Sequence, residues 1–309
     1  MNYKVKDIIR DICNELSLKC TFLSKDWVMM IESSECRRFV VGYKFGLNSQ
    51  SVCEIFDDKY ACYDVLSSLN IPIIEHQIVY DVANNCNYAL GCNTHAYVKK
   101  YFLAHNNHIV LKPNNGTCGI GVIELVDYDK IDKTLNKLFE KNFSISMCPY
   151  YNIRHEYRVI MLDGNAELVY CKYIPLVAGD DNRTIKELLI EFNPNYFSDK
   201  LNDTKFDKIL SKGEVYQYGW KFNLSQGSTA KPVVDNKLRN ELIALAKSVS
   251  DAINLRFGSV DIIELQDGEL RVLEVNSGVM IENYLLQNPN EYNLVRSIYK
   301  KAIIKMFDN

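Results

Sequence analysis

Much that would place a chain in a special class is missing from this sequence. No apolar run approaches the ~18 residues that a membrane-crossing helix needs, and the stretch Met1-Asn-Tyr-Lys-Val-Lys-Asp7 is polar rather than signal-like. The expected location is therefore cytoplasmic, with no membrane partner. No run of Lys and Arg is interleaved with aromatics, and 36 basic against 39 acidic residues give a net charge of −3, which argues against nucleic acid as an obligate partner. The ten cysteines form no Cys-x-x-Cys pair, and their closest spacing is Cys86 to Cys92. At about 3% of a long chain without a secretory signal, they read as free thiols rather than a disulfide scaffold or a structural zinc site. The five histidines supply no ligand cluster: His105 and His108 could share a helix face, but a surface or capping role suits them better. Repeats and low-complexity segments are absent as well.

What remains is an ordinary globular composition. With 47% apolar and 24% charged residues over 309 positions, the chain can bury a large core divided among two or three subdomains. Its hydrophobic periodicity is mixed α/β. Val5, Ile8, Ile9, Ile12 and Leu16 recur at helical spacing, and short apolar runs at 27–31 and 39–43 read as strands, giving a small N-terminal lobe over residues 1–55. A helix at 59–69, capped by Asp57-Asp58, leads to a strand at 71–74. Further strands are expected at 122–126, 144–147, 157–162 and 167–173, and helices at 128–141, 236–254 and 291–307. Strands at 257–264 and 269–276 form a hairpin about Gln266-Asp-Gly268.

Two segments carry chemistry. The run His108-Ile-Val-Leu111 ends in Lys112-Pro113 and passes into a turn with Gly116, Gly119 and Gly121, where backbone N–H groups can close on phosphate while an ammonium neutralises it. Far downstream, Leu273-Glu274-Val275-Asn276 sets a carboxylate and an amide at alternate strand positions, so both point to one face as hard oxygen ligands for Mg²⁺.

These pieces resemble the ATP-grasp superfamily over about residues 55–290, closest in pattern to its amino-acid ligase branches such as cyanophycin synthetase and glutathione synthetase. Asp58-Lys59 with Leu66 and Asn70-Ile-Pro72 looks like the family's entry helix, whose lysine contacts ATP phosphate. Lys112-Pro113 with Gly116, Gly119 and Gly121 looks like its phosphate strand and lid. Glu156-Tyr-Arg158 resembles the strand where an acid holds the ribose and an arginine faces the phosphates. The segment from Gly179-Asp180 through Arg183-Thr184-Ile185 to Glu187-Leu188 is very like one of the cyanophycin synthetase branch. Asp261, Glu274 and Asn276 match the positions that hold two Mg²⁺ ions, for which Mn²⁺ can substitute. Asp261 and the Glu274/Asn276 pair fall on consecutive strands of the expected hairpin and can face each other across it. Lys221-Phe-Asn223 resembles a segment in which arginine is usual; lysine keeps the phosphate contact and loses the bidentate geometry.

The resemblance implies an ATP-grasp α/β (α+β) fold of two subdomains clamping ATP, at residues 56–150 with the lid and 151–309 with the metal site. It also implies an ATP-dependent carboxylate–amine ligase acting through an acyl phosphate on an amino acid or peptide. Arg158, Lys172, Lys221 and Asn223 are then catalytic candidates, and Lys59, Lys112, Gly116, Gly119, Gly121, Met147, Tyr150 and Glu156 bind the nucleotide. Related ligases are often dimers or tetramers, so a homo-oligomer belongs to the same expectation. Two departures stand out. The adenine hinge reads Met147-Cys148-Pro149-Tyr150-Tyr151 without the usual acid, which assigns adenine to backbone groups beside Tyr150 or Tyr151. The loop after Asn276 reads Ser277-Gly278-Val279-Met280-Ile281-Glu282, which suggests an unusual acceptor with Glu282 receiving an amine.

Each residue also has a plainer reading. Lys112 could be a solvated strand end, Arg158 could pair with Glu156 or Asp180, and Lys59 could be a first-turn helix residue. Lys172 and Lys221 could be structural. The alternative functions are a non-catalytic nucleotide-binding module and a phosphotransferase on the same fold.

Overall fold

The computed structural model describes residues 4–81, 95–117 and 119–308. Helix α1 (Val5–Glu15) buries Ile8, Ile9, Ile12 and Cys13 and is followed by an antiparallel sheet of β1 (Lys19–Leu23), β2 (Val28–Glu32) and β3 (Arg37–Val41). Strands β2 and β3 stand where the apolar runs put them, whereas β1 has no fully buried residue and so left little sequence signal. Asp58 ends α2 (Gln50–Asp57) and caps α3 (Lys59–Ser68), its carboxylate accepting from the Ala61 N–H at 2.7 Å. The segment at 71–74 forms a single bridge rather than a strand. Pro72 has no N–H to donate, so the contact reduces to Val272 N–H on the Pro72 carbonyl, 2.8 Å, and Ile74 N–H on the Val272 carbonyl, 3.0 Å.

Two larger sheets follow. The first runs β4-β7-β5-β6, from β4 (Gln77–Tyr80), β5 (Ile109–Pro113), β6 (Ile123–Leu125) and β7 (Ser144–Pro149), every pair antiparallel. One face is covered by α4 (His95–Ala104) and α5 (Ile131–Phe139), with Val79, Val98, Phe102, Leu111, Leu135, Ile145 and Met147 in the core between them. His105 and His108 lie on the connection from α4 to β5, not on one helix face.

The second sheet has the order β12-β9-β8-β13-β14, from β8 (Ile153–Leu162), β9 (Asn165–Tyr173), β12 (Thr229–Pro232), β13 (Phe257–Leu265) and β14 (Leu270–Asn276). On one face, Val159, Met161, Val260 and Val275 pack under α2, α3 and α8 (Asn236–Ile253). On the other, Ile160, Leu168, Tyr170 and Phe257 pack with α1, β2, β3, α9 (Glu282–Gln287) and α10 (Tyr292–Phe307). The N-terminal lobe therefore shares its core with the C-terminal helices. Between β9 and β12 the chain adds the small ribbon β10 (Leu176–Ala178) and β11 (Val215–Gln217), with α6 (Ile185–Phe192) and α7 (Pro194–Phe197) around their own apolar cluster. Among the described residues no helix is long and apolar enough to cross a membrane.

Candidate active site

The apolar cover on the second sheet stops partway along its strands. On β8, Leu162 and Ile160 are core residues, and two and four positions earlier on the same side stand Arg158 and Glu156. Cross-strand register completes the group: Glu156 faces Lys172, Arg158 faces Asp261, and Asp261 faces Glu274. Arg158 grips Asp261 through both carboxylate oxygens, Nε to Oδ1 at 2.7 Å and Nη2 to Oδ2 at 2.6 Å. Lys172 sits between two acids, bonding Glu156 Oε1 and, at 3.0 Å, Asp261 Oδ1. The Asn276 amide lies 3.4 Å from both Asp261 Oδ2 and Glu274 Oε1. A bulge leaves Leu273 out of the β13 ladder, in a second apolar cluster.

Burial disfavours every charge here, and the pairing decides which survive. For Asp261, burial raises the pKa, but Arg158 and then Lys172 outweigh it and hold the carboxyl below the usual aspartate range. For Glu156, burial prevails: against the pull of Lys172, and with Asp261 as a like-charged neighbour, the carboxyl is pushed up to about 7. Burial also lowers the Lys59 ammonium, opposed by Glu274.

The first sheet presents its uncovered face to this cluster. Lys112 is buried on β5, yet it donates no hydrogen bond and joins no ion pair among the described residues. Lys59, at the start of α3, reaches the lid's base, bonding the Gly116 carbonyl at 2.5 Å and that of Asn114 at 3.3 Å. Within the lid, Gly119 (φ +66°) and Gly121 (φ +72°) hold left-handed backbone, and a Cβ on Gly119 would meet Asn223 Nδ2 at 2.9 Å. Lys221 bonds the Gly119 carbonyl at 3.3 Å, so the loop carrying Lys221 and Asn223 touches the lid directly. Asn223 Oδ1 also accepts from the Ser225 N–H and hydroxyl, at 2.9 and 2.8 Å.

Between the sheets lies an apolar cluster of Ile74, Val110, Cys148 and Ile263, with Tyr150, Trp220 and Leu273 packed against it. Tyr150 stacks on His108 with ring centroids 3.8 Å apart. Met147 points the other way, its side chain in the helical core of the first sheet, and the residues of β7 on the opposite face are Ser146 and Cys148. Glu282 is turned inward: its carboxylate accepts from the Val5 N–H at 3.2 Å, and Tyr43 also bonds to it, so it ties the loop to α1 instead of facing the cleft. Sequence reasoning missed Ile74, Trp220 and Ile263 as site residues: Ile263 is one apolar residue of β13, and Ile74 and Trp220 lie outside the strands, where periodicity gives no signal.

The donor set suits Mg²⁺. Among the described residues no three His, Cys, Asp or Glu side chains group closely enough to hold a metal. Mg²⁺, however, is commonly held by one or two carboxylates with the rest of its shell from phosphate and water. Glu274, Asp261 and the Asn276 amide, which can turn its oxygen inward, supply that number of hard oxygens. Counting Glu156 as ionised, four cations (Lys59, Lys112, Arg158, Lys172) face three carboxylates, and the excess is positive, as a polyanionic ligand requires.

No family model matches the chain. A glutathione biosynthesis bifunctional protein of Streptococcus thermophilus is 32% identical over 120 residues, 38% of this chain and 16% of that protein. The cyanophycin synthetase of Trichormus variabilis is 23% identical over 282 residues, 79% of this chain and 29% of the synthetase. The chain thus spans less than a third of either curated relative. Among solved structures, D-alanine–D-alanine ligase from Bacillus anthracis superimposes with a TM-score of 0.53 at 15% identity, covering 82% of this chain and 67% of the ligase. Two antiparallel sheets facing each other across a glycine lid and an acid–amide hairpin, and this likeness to solved ligases, identify the fold of the chain as ATP-grasp.

Proposed function

We propose that the chain is an ATP-dependent carboxylate–amine ligase that makes an amide bond through an acyl phosphate, with an amino acid or peptide among its substrates. The observation that carries this reading is the convergence on one cleft of a buried, unpaired Lys112, a glycine lid and the oxygen set of Asp261, Glu274 and Asn276. The apolar cluster between the sheets, with Tyr150 and Trp220 packed against it, is the surface on which a purine would lie.

In the first step a substrate carboxylate oxygen attacks the γ-phosphorus and ADP leaves. In the second an amine attacks the acyl carbon, phosphate leaves and the amine gives up a proton. Both steps consist mainly of positioning and neutralising charge. Lys112 and Lys59 offset the triphosphate, and the lid lays its N–H groups over it with Lys221 holding its far side. Arg158 and Lys172, fixed by Asp261 and Glu156, set a rigid cationic floor beneath the transferred group. Glu274, Asn276 and Asp261 would hold Mg²⁺, which would supply Lewis-acid neutralisation of the phosphates.

Hydroxylamine in place of the amine tests the intermediate. With MgATP and pooled amino acids and dipeptides, the expected products are ADP and a hydroxamate in equal amounts. ADP formed without hydroxamate would point to phosphotransfer.

A further inference from the structure

The first sheet's cleft face carries buried polar groups to which no role has been given above. Strand alternation identifies Ser146, which faces the cleft because Ile145 and Met147 lie in the helical core; His76, just ahead of β4, lies within electrostatic reach of Lys112 and Lys59. His76 is 1% exposed, and neither ring nitrogen has a partner among the described residues. Ser146 Oγ and Asn114 Nδ2, on residues 0% exposed, are likewise unpartnered. The Asn114 amide is held in orientation because its Oδ1 accepts from the Tyr60 N–H at 3.1 Å, which leaves Nδ2 over. Ser146 stands opposite Lys112 in the β5–β7 ladder. Ile74, two residues before His76, belongs to the apolar cluster between the sheets, while Lys59 and Lys112 bear electrostatically on the imidazole. His76 therefore stands between that cluster and the lysines.

We propose that His76, supported by Ser146 and Asn114, is a nucleotide-binding residue that donates an imidazole N–H to the ribose–phosphate junction of a purine nucleotide. The inference rests on the nucleotide reading of the cleft. Burial, and then Lys112 and Lys59, hold the imidazole neutral, so it offers one donor and one acceptor without adding a charge to a site already rich in cations. The Tyr63 ring, edge-on at 6.3 Å, packs beside it.

The test is calorimetric titration of the full chain with MgADP, for the unaltered protein, His76→Phe and Ser146→Ala, alongside thermal midpoints without nucleotide. His76→Phe is expected to raise the ADP Kd by about tenfold or more, the scale of one hydrogen bond to a charged group. Its midpoint should hold or rise, because an apolar ring replaces an imidazole with no partner. Affinity within about twofold of the unaltered protein for both variants would overturn the proposal, since neither group would then bond the ligand. So would a lower midpoint with unchanged affinity, the mark of a purely structural histidine. If His76→Phe does not fold, Ser146→Ala decides alone, with a loss of at least about threefold expected. No ADP binding by the folded, unaltered protein would overturn the nucleotide reading itself and this proposal with it; that outcome is distinct because protein and variants then fail alike.

Discussion

Lys112 and Asp261 are both buried charges, and their surroundings give them opposite parts. Lys112 has no ion-pair partner among the described residues, so its ammonium is left over for an anion. Lys112→Met is therefore expected to hold or raise the thermal midpoint while weakening MgADP binding by about 10- to 100-fold. Equal affinity would show a bystander. Asp261 is instead gripped by Arg158 and Lys172. Asp261→Asn should cost about 3–5 kcal/mol at neutral pH, because buried Arg158 loses its carboxylate and Lys172 keeps only Glu156. The folded pKa of Asp261 lies below its ordinary 3.8, so the native state binds its proton less readily than the unfolded chain. The stability it contributes is complete above pH ~4 and is lost as the pH falls through that range. Denaturation at a series of pH values should show the gap between Asp261→Asn and the unaltered protein narrowing below pH ~4; a constant gap would contradict the ion-pair account. Lys112, Glu274 and Asn276 were readable in the sequence as polar side chains at or near the ends of apolar strands, and the structure places Glu274 and Asn276 beside Asp261. The direction of Met147 was not readable there: strand alternation names two faces, and only the docked helices show which is the core.

At the scale of elements, the segment beginning Gly179-Asp180 shows how a family-like motif can encode local structure. Asp180 accepts from the Asn182 and Arg183 N–H groups at 3.1 and 2.8 Å, and Thr184 and Glu187 form a reciprocal capping box on α6. A Cβ at Gly179 would fall 2.3 Å from the Ser211 carbonyl oxygen, so only glycine fits against that strand of chain. Gly179→Ala should destabilise the β10–β11 module by about 1–3 kcal/mol or more, seen as faster amide exchange across 176–218 with the second sheet unaffected. Unchanged protection there would contradict the packing argument. Long amphipathic helices such as α8 and the β13–β14 hairpin were legible from periodicity and the turn residues. Helices α2 and α4 escaped notice, being 8 and 10 residues long with a weak apolar stripe in α4 and no distinct break between α2 and α3.

For the whole molecule, the account turns on two sheets whose covered faces make cores and whose uncovered faces make a cleft. One brings an apolar cluster, a lysine and a lid; the other brings the acid–amide hairpin with Arg158 and Lys172 beside it. Nothing in composition could show that the N-terminal lobe would pack against α10, because that contact joins opposite ends of the chain. The measurement that tests the central claim most directly is ADP release with MgATP against amino acids and dipeptides offered singly and in pairs, with Glu274→Ala as control. The account predicts release that needs both a carboxylate and an amine and that disappears in Glu274→Ala, while the variant keeps its thermal midpoint. Release with a compound that lacks either the carboxylate or the amine, or release that survives Glu274→Ala, would contradict it.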